Sequence, residues 1–131
     1  MSLTAHIDTN VLLRYVLNDS PALSPRAHHL IDTAECLYLD PVTLVEAAHV
    51  LQSHYGFTRE AIAECLRTML AVPALVGPLA ALTDAVRLFS EQPIDIEDAW
   101  LAVTALASDT PRIASFDRDF DRVAGLERVS S

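Results

Sequence analysis

A chain of 131 residues in which 51% are hydrophobic is long enough to bury one real core, and it reads as a single globular domain, 1–131, rather than a disordered segment. No apolar run approaches the roughly 20 residues a membrane span requires, and MSLTAHID at the N-terminus lacks the pattern of a signal peptide. The formal net charge is −9 and all nine basic residues are arginine, which excludes a P-loop lysine and a Schiff-base lysine; three glycines leave no Gly-rich phosphate cradle.

Short β-like and longer helical segments alternate along the chain. Leu3–Ile7 reads as the first strand, and Asp8-Thr9 opens a helix to about Leu17 with Thr9 as N-cap. Ser24-Pro25 gives a cap and first-turn pair for a helix over 24–34. Cys36–Leu39 is a short strand. Asp40-Pro41 repeats the cap-and-proline signal and starts a helix that ends near Tyr55-Gly56, where glycine suits the position after a helix. Thr58 caps a helix to about Ala71, and Ala74–Val76 is a strand. A helix from Pro78 or Leu79 to Ser90 follows, then one from Ile96 to about Ser108. Arg112–Ala114 is a strand, Asp119–Val123 a helical turn, and Leu126–Val129 a last edge strand. Consecutive helices occur at 9–34 and 41–71. Strands alternating with helices predict an α/β fold with a mainly parallel sheet of about five short strands. Cys36 and Cys65 are too few for a disulfide scaffold and lack metal spacing; they read as reduced, buried residues of a cytoplasmic protein.

Four acidic residues stand where a strand hands over to a helix or a helix begins: Asp8 in HIDTNVLL, Glu46 in DPVTLVEAAHVL, Asp98 in PIDIEDAWLAV and Asp117 in RIASFDRDF. In a parallel sheet the carboxyl ends of the strands share one edge, where ligands bind. Four carboxylates meeting there repel one another unless a divalent cation neutralises them, and hard oxygen ligands suit Mg²⁺ or Mn²⁺. That chemistry points to metal-assisted phosphodiester cleavage.

Each acid also has a plainer explanation. Asp8 caps its helix beside Thr9. Glu46 closes a capping box with Thr43. Asp98 lies in a first helical turn, where the dipole favours a carboxylate. Asp117 and Asp119 are turn residues. Asp95 and Glu97 read as solvated or capping. These explanations do not account for four acids at converging positions. Histidine offers no rival site, because the adjacent pair His28-His29 and the five-residue gap from His49 to His54 do not stack on one helix face. His6 shares a strand face with Asp8. The stripe of Leu12, Leu13, Val16 and Leu17 with Tyr15 reads as core, and the helices around Leu66, Met69 and Leu70 as a groove for a partner helix.

The ordered set D-T-N-x-L, glutamate in an apolar helix after P-V-x-L, D-A at the head of a late helix, and S-F-D-x-D-F resembles the PIN domain, and more narrowly the VapC-type toxins of prokaryotic toxin–antitoxin pairs. The resemblance covers essentially the whole chain. It implies a three-layer α/β/α sandwich and a Mg²⁺-dependent endoribonuclease, often a homodimer, with RNA as substrate. It also implies a small antitoxin whose basic C-terminal segment enters the acidic groove. Carried over by motif, Asp8, Glu46, Asp98 and Asp117 form the catalytic and metal-binding quartet, Asp119 is a helper, and Asn10 and Ser115 are small polar residues beside the site. Asp8, at the end of the expected central strand, would be a direct or bridging ligand. Asp98 and Asp117 would complete the sphere, and Glu46 would reach metal through water or orient the nucleophile. Attack by water would leave 5′-phosphate and 3′-hydroxyl ends. Trp100 stands where a smaller aliphatic residue is common in the family.

The acidic balance is awkward for a nucleic-acid enzyme, since phosphate binding carries a basic footprint. Arg14, Arg112, Arg118 and Arg122 lie near the acidic motifs in sequence and are candidates to supply it. Two other classes compete. An acid-site phosphatase or phospho-acceptor would use Asp8 as nucleophile, although Asn10 stands where a second aspartate is usual and lysine is lacking. A non-catalytic module would use its acidic pocket to bind a basic peptide.

Overall fold

The computed structural model describes residues 3–130; Met1, Ser2 and Ser131, which the single-domain span 1–131 includes, lie outside it. The described residues pack as two compact units, 3–79 and 80–130.

The first unit carries β1 (Leu3–His6), α1 (Thr9–Leu17), α2 (Ser24–Thr33), β2 (Ala34–Tyr38), α3 (Pro41–Ser53), α4 (Arg59–Leu70) and β3 (Leu75–Val76). Its three strands pair in the order β1-β2-β3, all parallel, with Thr4 opposite Cys36, His6 opposite Tyr38 and Leu37 opposite Leu75. Within this three-stranded sheet β2 runs between β1 and β3. Leu12, Leu44, Leu51, Leu66 and Met69 are fully enclosed and form the core with Ile7, Leu37 and Leu75. Leu66 and Met69 are thus core residues and offer no groove to a partner. Of the α1 stripe, Leu12 and Leu13 are buried and Tyr15, Val16 and Leu17 half-buried; the Tyr15 ring packs against His28 at 4.5 Å.

Helix starts follow local chemistry, with three corrections. Asp8, not Thr9, occupies the N-cap of α1, and Thr9 is the first helical residue. Ser24 lies inside α2, because a turn begins earlier: the Ser20 hydroxyl accepts from the Leu23 N–H at 3.1 Å and the Ser24 hydroxyl from the Ser20 N–H at 3.1 Å. The Asp40 carboxylate accepts from the Val42 N–H at 2.8 Å and Pro41 opens α3, so Glu46 sits in the second turn, beyond reach of a capping box. Thr58 caps α4 as expected, accepting from the Ala61 N–H at 3.2 Å.

Gly77, just past β3, has φ +147°, and a β-carbon there would meet the Leu39 carbonyl oxygen at 2.7 Å. Only glycine lets the end of β3 run this close to β2.

The second unit carries α5 (Leu79–Glu91, its first residue belonging to the preceding unit), α6 (Ile96–Leu106), β4 (Arg112–Ala114), a 3₁₀ turn (Arg118–Arg122) and β5 (Glu127–Val129). α5 and α6 follow each other directly, a third run of consecutive helices. β4 and β5 pair in parallel, Ile113 opposite Arg128. Leu82, Val86, Ile94, Ala99 and Ala102 are almost wholly enclosed, with Ile113, Phe120 and Val123 also buried. The described chain is therefore α/β: six helices and five short strands whose every described pairing is parallel. No helix among the described residues is long and apolar enough to cross a membrane.

Candidate active site

Asp8 lies just past the carboxyl end of β1, one residue, Ile7, intervening. It stands at the N-cap of α1 in extended conformation, yet its side chain makes no capping hydrogen bond and is exposed to solvent. Asp8 thus holds the capping position without spending its carboxylate on a capping bond. One residue on, Thr9 is buried and its hydroxyl oxygen lies 3.2 Å from Glu46 Oε2 and 3.3 Å from the Thr43 carbonyl oxygen. A hydroxyl has one proton to donate, so these two acceptors share it or compete for it. When the proton goes to Glu46, the first residue of α1 holds that exposed carboxylate on α3. This contact was missed in the sequence, where Thr9 read as a cap; partners 37 residues apart leave no local signal. Asn10 is exposed on α1, and the His6 ring packs against Tyr38 at 5.2 Å.

In the second unit the acids crowd. Asp98, half-buried in the first turn of α6, has its carboxyl pushed above the usual range, first by partial burial, then by the charges of Glu97, Asp95, Asp117 and Asp119. Asp95 occupies the N-cap of α6 but makes no side-chain cap bond, so it adds to this crowd instead of spending its charge on the helix. Beyond β4 the chain is tied residue by residue. The Ser115 N–H donates to the Val129 carbonyl at 3.0 Å, and the Ser115 hydroxyl accepts from the Asp117 N–H at 2.9 Å. Asp117 Oδ1 in turn accepts from the Asp119 N–H at 2.9 Å, capping the 3₁₀ turn. Arg128 donates to the Ser115 carbonyl at 3.2 Å while paired with Asp121 at 3.0 Å. Asp117 thus does serve as a turn residue, through one oxygen. Trp100 on α6 is half-buried.

The arginines near the motifs are largely engaged. Arg14 pairs with Asp19 at 2.9 Å and donates to the Tyr55 hydroxyl at 3.2 Å, Arg112 pairs with Glu127 at 3.3 Å, and Arg122 with Asp119 at 3.5 Å. A cleft of about 630 Å³ within the second unit is lined mainly by apolar residues of α5 and α6, among them Leu88, Val103 and Leu106, and includes none of the candidate acids.

Among the described residues, no three His, Cys, Asp or Glu side chains are grouped closely enough to hold a metal ion. The donor chemistry nonetheless fits one: the candidates are all carboxylates, suited to hard divalent cations, and the repulsion felt at Asp98 is of the kind a cation relieves. Cys36 and Cys65 are free, half-buried thiols on separate elements.

The PIN domain family model matches residues 5–126. The chain belongs to the PIN domain family. Members are generally nucleases, so hydrolysis of nucleic acid is the activity class of this fold, and the parallel α/β architecture agrees with it. The match includes Asp8, Glu46, Asp98 and Asp117, together with Asn10, Ser115 and Asp119. No curated protein and no solved structure matches the chain.

Proposed function

We propose that this chain, a single domain, is a metal-dependent endoribonuclease and the toxin of a VapBC-type toxin–antitoxin pair. One observation carries the reading: the PIN match runs over 5–126 and so takes in every acid of the ordered motif set. In this reading Asp8, Asp98 and Asp117 hold Mg²⁺ or Mn²⁺, with Glu46 at its margin and Asp119 as helper. A bound divalent cation lowers the pKa of the attacking water and offsets charge building on the phosphate.

The chain's own residues do the rest. The Thr9 hydroxyl fixes the rotamer of Glu46, which orients the attacking water through its carboxylate. Ser115 holds the backbone of Asp117, and Arg128 holds that of Ser115, so the acid after β4 is preorganised. Asn10 contributes a polar contact beside Asp8. The net charge of −9 favours a basic partner, and an antitoxin with a basic C-terminal segment meets that need. The working form is a cytoplasmic homodimer.

The test is cleavage of end-labelled structured RNAs with Mg²⁺, Mn²⁺ or EDTA, run beside Asp8→Asn and Asp98→Asn. Cleavage that requires metal and disappears in both variants is expected. A folded protein that cuts no RNA and gains no thermal stability from metal would overturn the reading. Retention of a basic peptide by that same inert protein would identify a binding module.

A further inference from the structure

An acidic, lysine-free nuclease needs a way to hold RNA that does not depend on neutralising phosphates. Arg14, Arg67, Arg87, Arg112, Arg122 and Arg128 are already in ion pairs. We propose that Phe116 is a stacking platform for one unpaired base of single-stranded RNA, presented beside Asp117. The proposal rests on the nuclease reading and adds to it a residue that grips the substrate.

Phe116 is 84% exposed, more than any other large apolar side chain described. Folding leaves this ring in water, where an apolar surface has no stabilising role. The ring is not on a slack loop. Ser115 before it is fixed through its N–H, its carbonyl and its hydroxyl, to Val129, Arg128 and Asp117 respectively. Asp117 after it is fixed by its own N–H and by the bond its carboxylate accepts from Asp119. The backbone on both sides is therefore ordered before any ligand arrives, and an aromatic side chain has only two torsions left to restrict.

The neighbourhood favours a base over a protein surface. The residues flanking Phe116 are Ser115 and Asp117, one polar and one charged, so the ring is not part of a continuous apolar run. It lies one peptide, about 3.8 Å along the chain, from a candidate catalytic acid. Stacking adds attraction that does not come from phosphate contacts, because every base presents a π face; removing one such platform typically weakens binding roughly 5- to 150-fold. A duplex keeps its bases stacked on one another, so the platform selects single-stranded segments, loops or ends.

The experiment uses the full chain and a short labelled single-stranded RNA of mixed sequence. Binding is read by fluorescence anisotropy in EDTA, and cleavage of the same RNA in Mn²⁺. Phe116→Ala and Phe116→Leu are expected to weaken binding about tenfold and raise KM with kcat little changed, whereas Phe116→Tyr keeps wild-type binding. Thermal midpoints stay level across the set, since the ring is in solvent. An abasic substitution in the RNA should weaken the wild type at one position and leave Phe116→Ala unaffected there. Binding by Phe116→Ala within twofold of wild type, with cleavage intact, overturns the platform and leaves the nuclease standing. Wild-type binding by Phe116→Leu overturns stacking in favour of plain apolar contact. A changed oligomeric state in Phe116→Ala with unchanged RNA binding makes the ring a protein contact and also overturns it. Failure of the wild type to bind or cut any RNA removes both readings together.

Discussion

The two units differ in how they hold the acids proposed for the site. In 3–79 the acids are spaced and individually managed: Asp8 stands alone past β1, Glu46 is held by a buried hydroxyl, and Asp19 is matched with Arg14. In 80–130 they are concentrated, and Asp98 carries the strain of four like charges as well as partial burial. Partnered carboxylates occur in both units, Asp84, Glu127 and Asp121 among them in the second; Asp98 differs in lying partly buried beside four like charges. Structural carboxylates are given partners; a carboxylate left among its own kind is a candidate for function.

The largest effect expected is on activity. Asp98→Asn and Asp117→Asn should each lower metal-dependent RNA cleavage on the order of 10²–10³-fold, measured as kcat/KM, while Asp19→Asn leaves it nearly unchanged. Equal losses at all three positions would erase the distinction between stressed and partnered acids.

Thr9→Val tests how the first unit holds Glu46. Valine keeps the shape and removes the proton donor, so cleavage should fall about 10- to 100-fold, the range typical of groups that orient a metal-site carboxylate. Stability should change by no more than about 1 kcal/mol, because Glu46 is exposed and water replaces the lost bond. A large loss of stability with unchanged kcat would reassign Thr9 to packing alone.

Gly77→Ala probes the sheet that carries Asp8. Its backbone conformation alone should cost about 1–3 kcal/mol in urea unfolding, with the contact to Leu39 adding to it. Gly125→Ala, where the new methyl would meet only the flexible Leu106 side chain at 3.4 Å, should cost less.

The smallest effect is in pH dependence, and its sign differs between the units. Partial burial pushes the Asp19 carboxyl up, but the hydrogen bond and charge of Arg14, with help from Tyr55, hold it below the usual range. Its contribution is therefore present above the ordinary carboxylate pKa and is lost as pH falls through the depressed value. Asp98 is raised, so its contribution is present below the ordinary pKa and is lost as pH rises through the elevated one. In metal-free protein at neutral pH, Asp98→Asn should raise the thermal midpoint by about a degree or two, and Asp19→Asn should lower it slightly. Midpoints moving the same way in both variants would contradict the assigned environments.

Element identity was largely legible because it rests on interactions within about four residues. Thr58 capping α4 and Asp40-Pro41 opening α3 were read correctly for that reason. Ser24 misled because Ser20, four residues earlier, had already started the turn, and Glu46 looked like part of a capping box only while Thr43 was taken as the helix start. The crowding of Asp98 by Asp95 and Glu97 is local and readable; its coupling to Asp117 and Asp119 requires the chain to return through β4.

The sequence by itself determined the α/β alternation, the acid set and the family those residues share, since hydrophobic period, caps and motif order are written along the chain. Only the tertiary structure decided that Thr9 meets Glu46 rather than capping a helix, that β2 runs between β1 and β3, and that Leu66 and Met69 are sealed in a core. The physical reason is range. A cap or a turn is satisfied by near neighbours, whereas burial, strand register and a hydrogen bond between residues 37 apart are set by which apolar faces exclude water together.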